Sequence, residues 1–307
     1  MSKISNIIYI SIINLYRFLP YKKLFCAIGK KINFIRTVLY KDFKFKGKFR
    51  VKTDNGKFFF IYHHGGTIEN ETYWNGLFTS WENEVGWLWQ QLCKCSDVVF
   101  DIGANTGIYS LLAKCINPSA EVHAFEPSVN TYEKLLLNNK INNYDIRCMQ
   151  IALSNINGEQ VFYDTPDTNQ TSASLSRKKL KDFEYYKGDI KEYNVNTLTL
   201  SSYIEMWRIP KIDLIKMDVE MHEPEVIEGF GKYLHLFKPI VIVEVLNNEI
   251  ANNLNKLIGD DYICLHLLEK GIVEHRTKIE FVYGKWNYVF FHKEMKDKVK
   301  QNTTMIW

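Results

Sequence analysis

An α/β fold is what this sequence predicts: a mostly parallel sheet with helices on both faces, preceded by an N-terminal extension of helix and strand. Three observations point there. The apolar runs at 98–104 and 239–246 are nearly unbroken, as in strands covered on both faces. Strand and helix patterns alternate from residue 98 onward. The first of these strands leads through Asp101, Gly103 and Gly107 into a helix, and in a doubly wound sheet that turn faces the ligand crevice.

Residues 1–66 read as the extension and 67–307 as the main domain. In "MSKISNIIYISIINLYRFLP" the positions Ile4, Ile8, Ile12, Leu15 and Leu19 follow helical spacing, and Pro20 ends the pattern. Polar breaks at Asn6, Ser11 and Asn14 leave less than the ~20 clean apolar residues of a membrane span, and no small-residue cleavage site follows. Lys22, Lys23, Lys30 and Lys31 come next. Residues 1–60 hold 14 Lys and Arg against Asp42 and Asp54, a net of +12, while the remainder carries 25 basic and 33 acidic residues. This asymmetry calls for an anionic partner at the front end. Two readings stay open: a helix packed on the body, or a helix lying in the plane of an anionic membrane surface. Both place the chain in the cytoplasm, the second at the membrane's inner face. Six cysteines without a signal peptide are expected to stay reduced. Cys93-Lys-Cys95 lacks a second ligand pair, so no metal site is assigned.

The remaining elements follow in order. Residues 41–62 alternate basic and aromatic side chains, a two-strand pattern split at Asp54-Asn55-Gly56. Residues 67–95 are helical and rich in tryptophan. A helix at 107–116 is followed by a strand at 121–127 and a helix at 128–141 capped by Ser128. A third strand covers 145–154, and an antiparallel edge strand starts at Gly158. A polar region at 166–192 precedes a short helix near Tyr203. A strand at 212–220 leads to a helix at 224–237 with proline in its first turn. The strand at 239–246, a helix at 247–258 and two closing strands at 262–268 and 286–292 complete the pattern.

The turn after the first strand carries the chemistry. Its pattern, Asp101-x-Gly103-x-x-x-Gly107, is not the G-x-G-x-x-G that holds a pyrophosphate. An acid there repels phosphate and suits a cationic group such as an ammonium, while the glycines let the backbone approach a ligand. Glu126 ends the next strand, where a carboxylate accepts from ribose hydroxyls. A ribose plus an ammonium without phosphate describes S-adenosyl-L-methionine.

The stretches "FDIGANTGIYS", "AFEPS", "IALSNINGEQVF", "LIKMDVEMHEPEVIEGF" and "PIVIVEV" occur in the order and context seen in FkbM-type methyltransferases, and the chain resembles that family over roughly residues 70–246. The resemblance implies a class I methyltransferase fold, a Rossmann-like sheet of seven strands, and methyl transfer from S-adenosylmethionine. The acceptor in the family is usually an oxygen, often on a sugar, glycolipid or polyketide-type product. By the same resemblance Asp101, Gly103, Asn105 and Gly107 match the cofactor turn and Glu126 the ribose acid, with Pro127 and Ala152 as further cofactor-site candidates. Asp218 and Glu220 match the acidic pair that ends the fourth strand. This chain departs where the family reads D-x-E-G-A-E: Met221 replaces glycine and His222 replaces alanine. It departs again at Ser201, where the family tends to carry an acid.

Methyl transfer to a hydroxyl needs alignment and a base. Asp218, Glu220, His222 and Glu244 are the candidates near the sheet's C-terminal edge. His222 has suitable proton affinity, with a solvent-exposed loop histidine as the alternative. Glu244, inside an apolar strand, is either paired structurally or part of the site. Glu223, next to Pro224, is expected to cap the following helix. His63 and His64 lie in a turn or line the acceptor pocket, and the stretch 171–174 binds acceptor hydroxyls or forms a lid. Three functional readings remain: an O-methyltransferase for a sugar, glycan or lipid-linked acceptor; a small-molecule O- or N-methyltransferase; and a non-catalytic S-adenosylmethionine-binding module. The acidic body and the lack of an Asn/Asp-Pro-Pro-aromatic motif argue against nucleic acid, and oligomeric state is left open.

Overall fold

The computed structural model describes residues 3–164, 173–175 and 191–305. The chain divides into two compact units, Met1–Trp81 and Glu82–Trp307. The division falls after the boundary expected at residue 66, because a helix at Thr67–Asn75 packs its rings on the strands before it.

In the first unit, α1 (Lys3–Phe18) and α2 (Lys22–Gly29) lead through a single π turn, Ile35–Leu39, into the antiparallel hairpin β1 (Gly47–Lys52) and β2 (Phe58–His63), then α3 (Thr67–Asn75). Tyr16 organises its core. Its ring lies 4.4 Å from Phe43 and its hydroxyl donates to the Lys44 carbonyl at 2.6 Å. Among the α1 residues whose side chains are described, Ile13 and Tyr16 are buried and Leu15 faces solvent. The hairpin buries Phe49, Val51, Phe59 and Ile61, and Tyr73 of α3 packs edge-on against Phe45 and Phe49. His63 is neither in a surface turn nor open to a pocket. It is fully buried, bonded to Asn70 and the Gly65 N–H, and burial lowers its pKa to about 4. No helix among the described residues is long and apolar enough to cross a membrane.

The second unit opens with α4 (Asn83–Leu92) and the core strand β3 (Val98–Ile102), every residue of which is buried. Then come α5 (Ile108–Ile116), β4 (Glu121–Phe125), α6 (Val129–Asn142) and β5 (Arg147–Met149). The run expected as one strand at 145–154 breaks at residue 150, because β6 (Ala152–Ser154) joins a separate sheet with β7 (Gly158–Asp164) and β8 (Lys191–Thr199). There follow α7 (Leu200–Trp207), β9 (Leu214–Met217), α8 (Glu223–Phe230), α9 (Lys232–Phe237), β10 (Ile240–Glu244) and α10 (Asn248–Ile258). Gly231, at φ +56°, separates α8 from α9 where one helix was expected. Strands β11 (Tyr262–Glu269), β12 (Ile272–Arg276) and β13 (Asn287–His292) close the sheet.

The principal sheet has the order β12-β11-β13-β10-β9-β3-β4-β5. Its five strands from β10 to β5 are parallel, and β13 inserts antiparallel beside β10. This is the doubly wound, Rossmann-like arrangement the sequence predicts. It has eight strands instead of seven because the β11–β12 hairpin adds an edge.

Candidate active site

The register of the parallel strands builds the site. Met217 pairs with Ile102 and Val243, and Ile102 pairs with Phe125. The next residue on each strand therefore falls in one row at the C-terminal edge: Glu244, Asp218, Gly103 and Glu126. Three carboxylates and one glycine line four adjacent strand ends, where open α/β sheets bind their ligands.

Gly103 is there because nothing larger fits. Its φ is +79°, and a Cβ would stand 1.8 Å from the Asp218 carbonyl oxygen. At Gly107, φ +90°, a Cβ would stand 2.4 Å from Leu135 Cδ1. At both positions close approaches within the protein's own chain demand glycine. Between them Asn105, at φ +50°, turns its Oδ1 onto the Thr106 N–H at 2.8 Å, and Asn138 Nδ2 donates to the Thr106 carbonyl.

The two acids of this turn do different work. Asp101 is buried, and its Oδ2 accepts from the Ser110 N–H at 2.9 Å and from Ser110 Oγ at 2.5 Å. Burial raises its pKa to about 6, against the opposing pull of Ser110 and Lys216. Asp101 therefore fixes the start of α5. Glu126 accepts from the Asn105 N–H at 3.0 Å through Oε2 and from the Ser128 N–H at 2.8 Å through Oε1. Each carboxylate oxygen can accept two hydrogen bonds and here accepts one among the described residues, so both keep capacity for a hydroxyl. Burial raises its pKa to about 7. Pro127 lies half-buried beside it. Ser128 stands at the helix start, but its hydroxyl donates to Asp164 Oδ2 instead of capping; Tyr193 donates to the same oxygen. Ala152 packs in a small cluster with Phe162 and Val195.

On the other side of Gly103, Lys216 lies beside Asp101 in register and is buried. Its Nζ meets Asp218 Oδ2 at 3.0 Å, approaches Glu82 Oε1 at 3.9 Å and lies 4.4 Å above the Tyr109 ring. The Tyr109 hydroxyl donates to Glu82. Burial alone would discharge Lys216, but Asp218, Glu82 and Asp101 together hold it protonated. The carboxyls around it respond the opposite way. Burial, then the charge of Asp218, pushes both Glu220 and Glu244 well above the usual carboxylate range. The Asp218 side chain keeps 29% exposure and is ion-paired.

The loop after β9 begins earlier than expected, since the strand ends at Met217. Glu220 and Met221 take left-handed backbone, φ +54° and +71°. Met221 occupies a conformation that favours glycine. Glu223 Oε1 accepts the Val219 and Met221 N–H groups, so Glu223 braces this loop instead of capping α8. Asn247 Nδ2 contacts Met221 Sδ at 3.2 Å, and Ser174 Oγ donates to the Glu220 carbonyl at 2.9 Å. Thr171 and Ser172 lie outside the described residues. His222 is not a solvent-exposed loop residue. It is buried, with Nε2 on Ser154 Oγ at 3.0 Å and Nδ1 3.6 Å from Glu225. Ser201 donates to the Gly229 and Phe230 carbonyls at the end of α8. All six cysteines are free.

Lys216, Glu82, Tyr109 and Asp164 were absent from the sequence reading of the site. Only Lys216 left a signal, a cation inside the apolar run "LIKM".

Residues 101–270 match the methyltransferase FkbM domain model. The chain is 25% identical over 164 residues to the hexuronic acid methyltransferase AglP of Haloferax volcanii, covering 53% of this chain and 62% of that protein. It is 30% identical over 153 residues to the 31-O-demethyl-FK506 methyltransferase FkbM of Streptomyces tacrolimicus, covering 43% of this chain and 59% of that one. The matches thus span about three-fifths of these relatives' lengths. Among solved structures, a methyltransferase FkbM from Methylobacillus flagellatus aligns with a TM-score of 0.38 at 14% identity, covering 64% of this chain and 43% of that chain.

Proposed function

We propose, from the premise that this chain belongs to the methyltransferase FkbM domain family, that it transfers a methyl group from S-adenosylmethionine to a hydroxyl of a sugar or glycan. The row Glu244–Asp218–Gly103–Glu126 carries the reading. One end of it suits a diol and the other a proton acceptor.

Glu126 would hold the cofactor's ribose, since it is anchored by two backbone N–H groups and each oxygen has capacity left. The turn 103–107, set by Asp101 and Ser110, would support the rest. When bound, S-adenosylmethionine supplies a methyl group already activated by its sulfonium. The protein then has two tasks, to align the acceptor hydroxyl and to accept its proton. Asp218 is the group for the second, because Lys216 orients it through Oδ2 and its side chain keeps partial exposure. Glu220 and Glu244, whose pKa values burial and the charge of Asp218 raise, would hydrogen-bond acceptor oxygens. His222, hydrogen-bonded to Ser154 and 3.6 Å from Glu225, positions the loop.

A sugar acceptor is favoured by the similarity to a hexuronic acid methyltransferase. The similarity to an enzyme named for an O-demethylated FK506 supports a second reading, a small-molecule hydroxyl. Incubating the protein with methyl-labelled S-adenosylmethionine and an extract, then identifying the labelled product, separates them. A labelled saccharide supports the first reading and a labelled non-sugar product the second. A product methylated on nitrogen would refute both.

A further inference from the structure

The first unit concentrates exposed apolar side chains. Ten of the twenty large hydrophobics exposed among the described residues fall between Ile10 and Phe58, less than a fifth of the chain. On α2 they form one face. Cys26 and Gly29 are buried inward, while Leu24 and Ile28, one turn apart, are 62% and 55% exposed, with Tyr21 at 82% just before them. Phe34 and Phe18 are exposed on either side of α2 in sequence. Monomeric soluble proteins rarely leave so much apolar surface open without a binding role.

The charge around these side chains identifies the occupant. The first 60 residues carry 14 basic and only two acidic side chains. The outer face of the hairpin repeats the combination: Lys48, Arg50 and Lys52 oppose Tyr62, Phe60 and Phe58 across the strands. Lys48 Nζ sits 4.5 Å over the Phe60 ring and Arg50 5.1 Å over Phe58. Lys23 Nζ donates to the Lys48 carbonyl, tying α2 to β1. Exposed aliphatic and aromatic side chains amid excess cations match an interface that is apolar beneath and anionic above.

We propose that the first unit docks on the surface of an anionic phospholipid bilayer, with Leu24 and Ile28 entering the acyl boundary and Lys48 and Arg50 meeting headgroups. The contact is peripheral and independent of the reaction, so it holds whether or not the cofactor reading does.

The test uses the full chain and vesicle flotation, with phosphatidylcholine alone or mixed with phosphatidylglycerol. Binding is expected to the mixed vesicles only, and to weaken steeply at high salt. Leu24→Glu with Ile28→Glu is expected to lower binding by on the order of a hundredfold. Lys48→Ala with Arg50→Ala should lower it by about fivefold per charge. All four side chains stand on outward-facing positions, so an unchanged thermal midpoint is expected and separates lost binding from lost fold. Equal binding to neutral vesicles, or none to anionic ones at low salt, would overturn the proposal. So would a concentration-dependent dimer abolished by the Leu24/Ile28 variant, since that face would then join two copies of the chain.

Discussion

Two loops meet at the centre of the sheet edge, and they solve the same backbone problem differently. After β3 the chain turns through left-handed backbone at Gly103, Asn105 and Gly107. There glycine is dictated by crowding from Asp218 and Leu135. After β9 the chain again turns left-handed, but at Glu220 and Met221. No glycine relieves that loop; Glu223, Ser174 and Asn247 hold it instead. The first loop is shaped for packing. The second keeps backbone strain at the place where acceptor chemistry is proposed, a pattern seen at functional sites.

The contrast can be broken most forcefully at Asp218. Asp218→Asn keeps the shape and an acceptor for Lys216 but removes the proposed base. Turnover should fall roughly 10²–10⁴-fold with cofactor affinity nearly unchanged. Wild-type turnover in this variant would end the assignment. Gly103→Ala is the structural counterpart. With a Cβ aimed at a carbonyl oxygen and left-handed φ, it should lose about 3 kcal/mol or more in denaturant unfolding. A loss below about 1 kcal/mol would show that the two loops are not pressed together.

Met221 sharpens the comparison through a sign. Glycine is ordinarily less stable than alanine by roughly 0.5–1 kcal/mol, but left-handed backbone costs a side-chain-bearing residue about 1–2 kcal/mol. Both Met221→Ala and Met221→Gly lose a buried side chain. The glycine variant should nevertheless be the more stable of the two by about 0.5–1 kcal/mol. The usual order would mean that the φ of +71° stores no strain.

The sheet was legible in the sequence because strands buried on both faces leave unbroken apolar runs. Glu126 drew attention because an acid is out of place at the end of such a run, and Asp218 through the family resemblance and its place near the sheet edge. What escaped had tertiary causes. Glu82 reaches Lys216 from a tryptophan-rich segment far along the chain, and no local pattern records that approach. The run at 145–154 looked continuous, yet its halves join different sheets. Strand β12 is short and mostly polar, and only its pairing with β11 defines it. His222 drew attention as a base by its chemistry, but Ser154, whose contact with it depends on the fold, claims its ring.

The account rests most directly on Glu126 as the cofactor's ribose acid, and calorimetric titration with S-adenosylmethionine across neutral pH tests it. The carboxyl has its pKa raised to about 7, and hydroxyl donors favour its ionised form. Affinity should therefore level off above that pH and fall toward about tenfold per pH unit below it. In Glu126→Gln that pH dependence should vanish, and affinity at high pH should drop by about ten- to a hundredfold. A Glu126→Gln variant that binds S-adenosylmethionine as tightly as the wild type, with the same pH profile, would contradict the account.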